Sequence, residues 1–223
     1  MGPGGGPRRG WWALRPRTLG ACILSLSLAA ILLAWAVIGA SWSLNSDWFV
    51  FTRDAFSDLG GARSCCPGLY NYGLMGVGSI IVVLGYCIAL AAPSKLEVAG
   101  GAYVALAGVF LGLIGYYHAG TRPHVFVSTW FFLQMDVGLA LVAAGLTRRR
   151  AGGLAFPALL ASMEAFPVAA LVGVLVGWPS AAVLEAYGVL VIDAVVLMIS
   201  AEYYRGLAAA HGPAPQAVGP GAR

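Results

Sequence analysis

Charge is scarce in this chain. Only 10% of the 223 residues are Asp, Glu, Lys or Arg, and Lys95 is the single lysine. Water-soluble domains carry about 25% charged residues, so the composition excludes an ordinary soluble enzyme. The formal net charge of +4 is unevenly placed and forms no basic stripe on a soluble domain of the kind that binds nucleic acid. We therefore expect no nucleic-acid partner.

Cysteine is scarce as well. The chain has four cysteines, and none of them forms a C-x-x-C pair, which argues against a zinc cluster or a disulfide scaffold. Cys22 and Cys87 fall inside apolar segments, where a thiol packs as a small apolar group. Cys65 and Cys66 are adjacent in a polar segment, and a bridge between neighbours would be strained.

Long apolar runs dominate the rest of the chain. Hydrophobic residues make up 60% of it, with a mean hydropathy of +0.82. A membrane helix needs about 20 apolar residues, whereas a transmembrane β-barrel shows alternating segments of about 10 residues. The sequence predicts an all-α polytopic bundle in the cell membrane, with the lipid bilayer as its partner. The six predicted helices are Leu19–Ser41, Leu69–Ala92, Val98–Ala119, Val125–Leu146, Leu154–Gly177 and Val183–Tyr204.

Both ends of the chain differ from this apolar core. Residues 1–18 are rich in Gly, Pro and Arg, and residues 205–223 are rich in Pro and Gly. Such segments bury too little apolar surface to become ordered, so we expect disordered tails around a membrane domain of residues 19–204. A signal peptide is the alternative for the first apolar run. Its core spans about 7–15 residues, and the longer run here favours an uncleaved helix.

Arginine placement predicts the orientation. Cytoplasmic segments of membrane proteins carry an excess of Lys and Arg. With the N-terminus inside, nine of these residues lie inside and only Arg53, Arg63 and Arg122 lie outside. We therefore expect six crossings, both termini in the cytoplasm and an outer polar loop over residues 43–68. The inner residues are Arg8, Arg9, Arg15, Arg17, Lys95, Arg148, Arg149, Arg150 and Arg205.

Three carboxylates lie near the middle of predicted helices, namely Asp136, Glu164 and Asp193. An ionised carboxylate there costs about 2.5–3.5 kcal/mol on insertion scales, and no Lys or Arg lies at similar depth. Either the acids are neutral and hydrogen-bond between helices in a structural membrane protein, or they carry a proton or cation. In the second case the protein is a small coupled transporter, and the candidates for its ligand or proton path are Asp136, Glu164, Asp193 and Asn71. The segment from Asp54 to Asn71 is then its outer gate.

The polar loop supplies a different candidate site. Asp58 lies in this loop, His118 ends helix three and His124 opens helix four. Imidazole and carboxylate at a helix mouth suit a zinc ion or an acid/base pair. A metal-dependent hydrolase acting on lipid head groups at the outer surface is therefore the alternative function. No H-E-x-x-H signature is present, and each histidine can equally bond to loop backbone.

Two local patterns predict backbone features. The segment Ser57-Asp58-Leu59-Gly60 predicts a helical turn that ends at Gly60, with Asp54 and Ser57 as capping residues. On helix three, Gly108 and Gly112 form a G-x-x-x-G pair, a pattern that allows close helix packing in lipid. We therefore expect helix three to lie at the centre of the bundle.

Several short motifs resemble one known family. They are Asp54-x-x-Ser57-Asp58-Leu59-Gly60, then Tyr70-Asn71-x-Gly73, and His124 followed by Phe131-Phe132. Over roughly residues 19–204 the chain resembles the uncharacterised prokaryotic membrane family catalogued as domain of unknown function 998. The resemblance implies a six-helix membrane protein with a polar loop after the first helix. It implies no activity and no cofactor.

Overall fold

The computed structural model describes residues 16–149 and 153–209. These residues contain six α-helices, all long and apolar enough to cross a membrane, and no strand. The predicted all-α polytopic bundle is confirmed. The predictions for residues 1–15, Arg150 and residues 210–223 lie outside the described residues. The helices are α1 Pro16–Leu44, α2 Pro67–Ala91, α3 Lys95–Tyr116, α4 His124–Arg149, α5 Ala155–Leu175 and α6 Ala181–Ala209.

The ends of the helices differ from the predicted ends by a few residues. α3 begins three residues before the predicted Val98, because Ser94 Oγ accepts a hydrogen bond from the Glu97 N–H at 3.3 Å. Serine at this position satisfies one of the free N–H groups of the first turn. Glu97 therefore lies inside the helix, where its side chain is held in a fixed position.

Five of the helices form a closed ring, and the sixth lies outside it. α1, α2, α3, α4 and α6 follow one another around the ring, and α6 returns to α1. The main contacts of α5 are with α4 and α6. The predicted central position of helix three is wrong, since α3 packs mainly between α2 and α4.

α2 and α3 pack with their backbones in direct contact. A Cβ atom added at Gly85 would lie 2.5 Å from the Gly101 carbonyl oxygen, and one at Gly108 would lie 2.6 Å from the Gly78 oxygen. Gly112 meets Gly78 through its backbone only, with open space where its own Cβ would lie. A Cβ at Gly101 would lie 2.8 Å from the Gly85 oxygen. On α3 the close approach therefore depends on Gly101 and Gly108, not on the predicted pair of Gly108 and Gly112.

A buried carboxylate joins three helices at the end of the bundle opposite the loop. Glu97 on α3 is fully buried. It accepts hydrogen bonds from Arg149 Nε at 2.9 Å, Arg149 Nη2 at 2.7 Å, Tyr203 Oη at 2.7 Å and Ser94 Oγ at 2.7 Å. We call these four residues the Glu97 cluster. It ties α3 to α4 and α6.

Residues 45–66 cover the other end of the ring and are fastened to α6. The N–H of Ala182 donates to the Asp54 carbonyl at 3.0 Å, and Ser180 Oγ donates to the Phe51 carbonyl at 2.6 Å. Below these bonds Phe49 and Phe56 are buried and their rings stack at 6.3 Å. The loop is therefore a packed cover over the bundle.

The predicted turn in the loop is a 3-10 helix, Phe56–Gly60. Asp58 holds its start, because its carboxylate accepts a hydrogen bond from the Ala55 N–H at 2.9 Å. The predicted caps Asp54 and Ser57 are therefore wrong. Asp54 instead accepts from the Val50 N–H at 2.7 Å, one turn earlier in the loop.

Candidate functional site

A cavity of about 110 Å³ lies inside the ring, beneath the loop. All five ring helices and the 3-10 helix contribute to its wall, and α5 does not. A cavity needs about 10–15 Å³ to hold one water molecule, so this central cavity has room for several. Most of its wall is apolar. Its polar side chains are Ser27, Ser57, Tyr70, Ser128, Glu185 and Asp193.

Asp193 on α6 has one polar partner in the described part of the chain. The indole Nε1 of Trp35 on α1 donates to its Oδ2 at 2.8 Å. Seven residues further along the same helix, Ser200 Oγ lies 2.7 Å from Ser27 Oγ on α1, and both serines are buried. No ion pair with Asp193 occurs among the described residues. The carboxylate therefore faces the central cavity without a compensating positive charge.

Glu185 lies two turns before Asp193, at the loop end of the cavity. Its Oε2 accepts a hydrogen bond from the Phe56 N–H at 2.7 Å, and both Phe56 and Ser57 line the cavity. The loop thus closes the cavity through a direct contact with a carboxylate. The i, i+8 spacing of Glu185 and Asp193 places them on one helix face, and this was the only sequence signal for Glu185. Trp35 had no such signal, since its role depends on how α1 and α6 face each other.

Asn71 fastens the loop. Its Nδ2 donates to the Gly60 carbonyl at 2.9 Å. Gly60 has no side chain, and a Cβ there would overlap the Asn71 side chain. Asn71 is not among the residues that line the central cavity, so its position is that of an anchor for the loop. Its proposed place on a proton path stays a prediction.

Asp136 lines a second and larger space. This cleft of about 520 Å³ lies between α4, α5 and α6, outside the ring. Phe132, Glu185, Ser128 and Ile192 line both the cleft and the central cavity. The phenyl ring of Phe132 packs over Gly188, where a Cβ would lie 2.8 Å from the ring.

The three predicted mid-membrane acids do not come together in one cluster. Asp193 lines the central cavity and Asp136 lines the cleft, while the exposed Glu164 on α5 lines neither. The position of α5 outside the ring is the reason. Hydropathy cannot reveal that position, because α5 is as apolar as its neighbours.

The outer candidates Asp58, His118 and His124 are each bonded to backbone. Nδ1 of His118 lies 2.9 Å from the Ala119 carbonyl oxygen, and Nδ1 of His124 lies 2.8 Å from that of Tyr117. Within residues 16–149 and 153–209, no three His, Cys, Asp or Glu side chains are grouped to hold a metal. The metal-dependent hydrolase stays a prediction.

Asp54 and Cys65, both in the loop, have pKa values shifted away from their ordinary range. Hydrogen bonds from the Arg53 guanidinium and the Val50 N–H lower the pKa of Asp54 to about 2. The Cys65 and Cys66 sulfur atoms lie 3.2 Å apart, and this contact raises the pKa of the Cys65 thiol. The Arg63 guanidinium lies 4.5 Å from the centre of the Trp48 ring, a distance at which a cation is attracted to the ring face.

Comparison with known proteins gives a family and no activity. The family model described as Protein of unknown function (DUF998) matches residues 28–202. That range includes the loop, Asp136, Glu185 and Asp193. No curated protein and no solved structure matches the chain. The family model covers more than half of the chain and all six helices are apolar enough to span a bilayer, so this is a membrane-spanning helical protein that belongs to the DUF998 family.

Proposed function

We propose that the protein is a small proton- or cation-coupled transporter of the cell membrane. In this proposal Asp193 and Glu185 carry the coupling ion through the central cavity. The observation that carries the proposal is Asp193, a carboxylate on the cavity wall whose only polar partner in the described residues is the Trp35 indole.

Electrostatics supports this assignment. A charge among apolar walls is unfavourable unless it is paired, hydrated or neutralised. A single indole N–H does not neutralise a carboxylate, so the group must take up a proton, water or a cation. Intramembrane acids in this position are functional candidates by default. Ser27 and Ser200, whose hydroxyls touch on the side of Asp193 away from the loop, extend the polar line along the interface of α1 and α6.

The loop supplies an outer gate in this proposal. Phe56 donates its N–H to Glu185, so a change in the charge of Glu185 alters a bond that holds the loop down. We place the loop outside and both termini in the cytoplasm, following the arginine distribution. Asn71, which holds Gly60, then stabilises the closed state of the gate.

Proton movement through purified protein in liposomes tests the proposal. A potassium gradient with valinomycin sets the interior negative, and trapped pyranine reports acidification. We expect wild-type protein to admit protons, and Asp193→Asn and Glu185→Gln to lose most of that flux. Glu164→Gln is the matched control, because Glu164 lies in a membrane helix but lines neither cavity. A trapped sodium dye in a parallel run separates a proton from a sodium ion.

The outcomes separate the proposal from its alternatives. Equal flux in wild-type protein and in empty liposomes, for both ions, would favour a structural membrane protein. Stoichiometric zinc in protein purified without chelators or metal-affinity resin, lost in His118→Ala, would favour the hydrolase instead.

A further inference from the structure

The cleft between α4, α5 and α6 has the size and shape of a ligand site. Its volume of about 520 Å³ falls within the range of about 300–1,000 Å³ that is usual for small-molecule pockets. Phe166 and Leu184 on its rim are 42% and 39% exposed. Both lie on membrane-spanning helices, so the cleft opens toward lipid, and a ligand can enter from the bilayer.

One wall of the cleft carries a carboxylate with no partner. Asp136 on α4 is half-buried, and it makes no hydrogen bond and no ion pair within the described residues. By contrast, Glu97 on α3 accepts hydrogen bonds from four donor atoms, and Asp193 on α6 accepts one from an indole. A carboxylate left alone in an apolar cleft gains most from a positively charged occupant.

The rest of the wall also suits a cation. No Lys, Arg or His lines the cleft, while Glu185 adds a second acid. Four aromatic side chains complete it, and the rings of Trp178 and Tyr187 pack 5.4 Å apart. Aromatic rings attract cations through their faces. The aromatic lining residues are Phe132, Phe166, Trp178 and Tyr187.

From these features we infer that the cleft binds a lipophilic monovalent cation, with Asp136 as its counter-charge. A bulky organic ammonium or phosphonium compound has the required chemistry, namely one delocalised or shielded positive charge within an apolar body. The cleft shares Phe132 and Glu185 with the central cavity, but Asp136 lines only the cleft and Asp193 lines only the cavity. Occupancy of the cleft therefore does not depend on proton movement through Asp193.

Equilibrium dialysis of the full chain in detergent tests the inference, with radiolabelled tetraphenylphosphonium as the probe. Tetraphenylborate is the matched control, because it has the same shape and the opposite charge. We expect saturable binding of about one phosphonium ion per chain and no saturable binding of the borate. Equal binding of both ions, or binding of neither, would overturn the inference. Equal binding of both would indicate a groove for lipid tails.

Three variants then assign the site to Asp136. Asp136→Asn should weaken phosphonium binding at least tenfold, Asp136→Glu should restore it, and Glu164→Gln should bind as wild-type protein does. Wild-type affinity in Asp136→Asn would contradict the assignment. If Asp136→Asn aggregates on size exclusion, the inference is decided by the difference between phosphonium and borate binding to wild-type protein. Asp193→Asn should retain phosphonium binding, so a failure of the transport proposal remains distinguishable from a failure of this one.

Discussion

Glu97 shows how the surroundings of a single residue decide its role. The sequence places it near the start of a helix, and nothing in the sequence distinguishes it from a surface acid. In the fold it is fully buried and accepts four hydrogen bonds, two of them from Arg149. A carboxylate satisfied in this way is a structural tie. Asp136, by contrast, makes no hydrogen bond and no ion pair within the described residues, and it is the counter-charge of the inferred cation site.

Replacing Glu97 should destabilise the protein more than a change at an exposed residue of the loop such as Asp47. Glu97→Gln leaves Arg149 facing a neutral amide. Breaking a buried ion pair costs about 3–5 kcal/mol, and we expect the lower end because Arg149 is 32% exposed. The free energy of unfolding, measured in mixed micelles, checks this expectation.

Two variants calibrate that measurement. Tyr203→Phe removes one hydrogen bond to the same carboxylate and should cost about 1.5 kcal/mol. Asp47→Asn changes an exposed residue and should stay within about 0.5 kcal/mol of wild type. A Glu97→Gln protein as stable as Asp47→Asn would show that the Glu97 cluster does not hold the bundle together.

The lowered pKa of Asp54 predicts that the loop contributes less to stability at acid pH. Its pKa in the folded protein is about 2, below the usual value of about 3.9. A carboxyl with a lowered pKa stabilises the fold fully above its unfolded pKa, and this contribution is lost as pH falls through the folded value. The difference in melting temperature between wild type and Asp54→Asn should therefore be constant from pH 7 to about pH 5 and shrink toward pH 2. A difference that grows below pH 4 would contradict the assignment.

At the scale of helices, hydropathy alone predicts all six spans, because each crossing needs a long apolar run. It misses helix ends by a few residues where a side chain such as Ser94 caps the first turn. Hydropathy also does not predict which helices are neighbours, since lipid-facing and core-facing positions are equally apolar. For this reason Asp193 could be selected from the sequence, while its partner Trp35 and the separation of Asp136 from it could not.

The interface of α2 and α3 gives a test at this scale. In Gly85→Ala the new methyl group would meet the α3 backbone at Gly101 and Ala105, so the helices must separate and stability should fall by about 1–3 kcal/mol. Gly112→Ala is the matched control on α3, because its Cβ position is open. Equal stability of the two variants would show that backbone contact does not fix this pair.

At the scale of the whole molecule, orientation is the first property to test. Cys65 and Cys66 lie exposed in the loop, whereas Cys22 and Cys87 lie within membrane helices. After mild reduction, a membrane-impermeant maleimide should label intact cells, and Cys65→Ser with Cys66→Ser should remove the signal. Labelling that occurs only after lysis would place the loop on the cytoplasmic side.

The whole bundle divides its acids between two spaces, and this division underlies the proposed function. The ring encloses Glu185 and Asp193 under the loop, while α5 and its neighbours form the cleft around Asp136. Phe132 and Glu185 belong to both linings, so the two spaces meet at these side chains.

The rate of proton entry into liposomes containing Asp193→Asn, relative to wild type and to Glu164→Gln, tests the central claim most directly. Wild-type and Glu164→Gln proteins should acidify the lumen at similar rates, and Asp193→Asn should fall to the rate of empty liposomes. An Asp193→Asn protein that is folded and still admits protons at the wild-type rate would contradict a proton path through the central cavity.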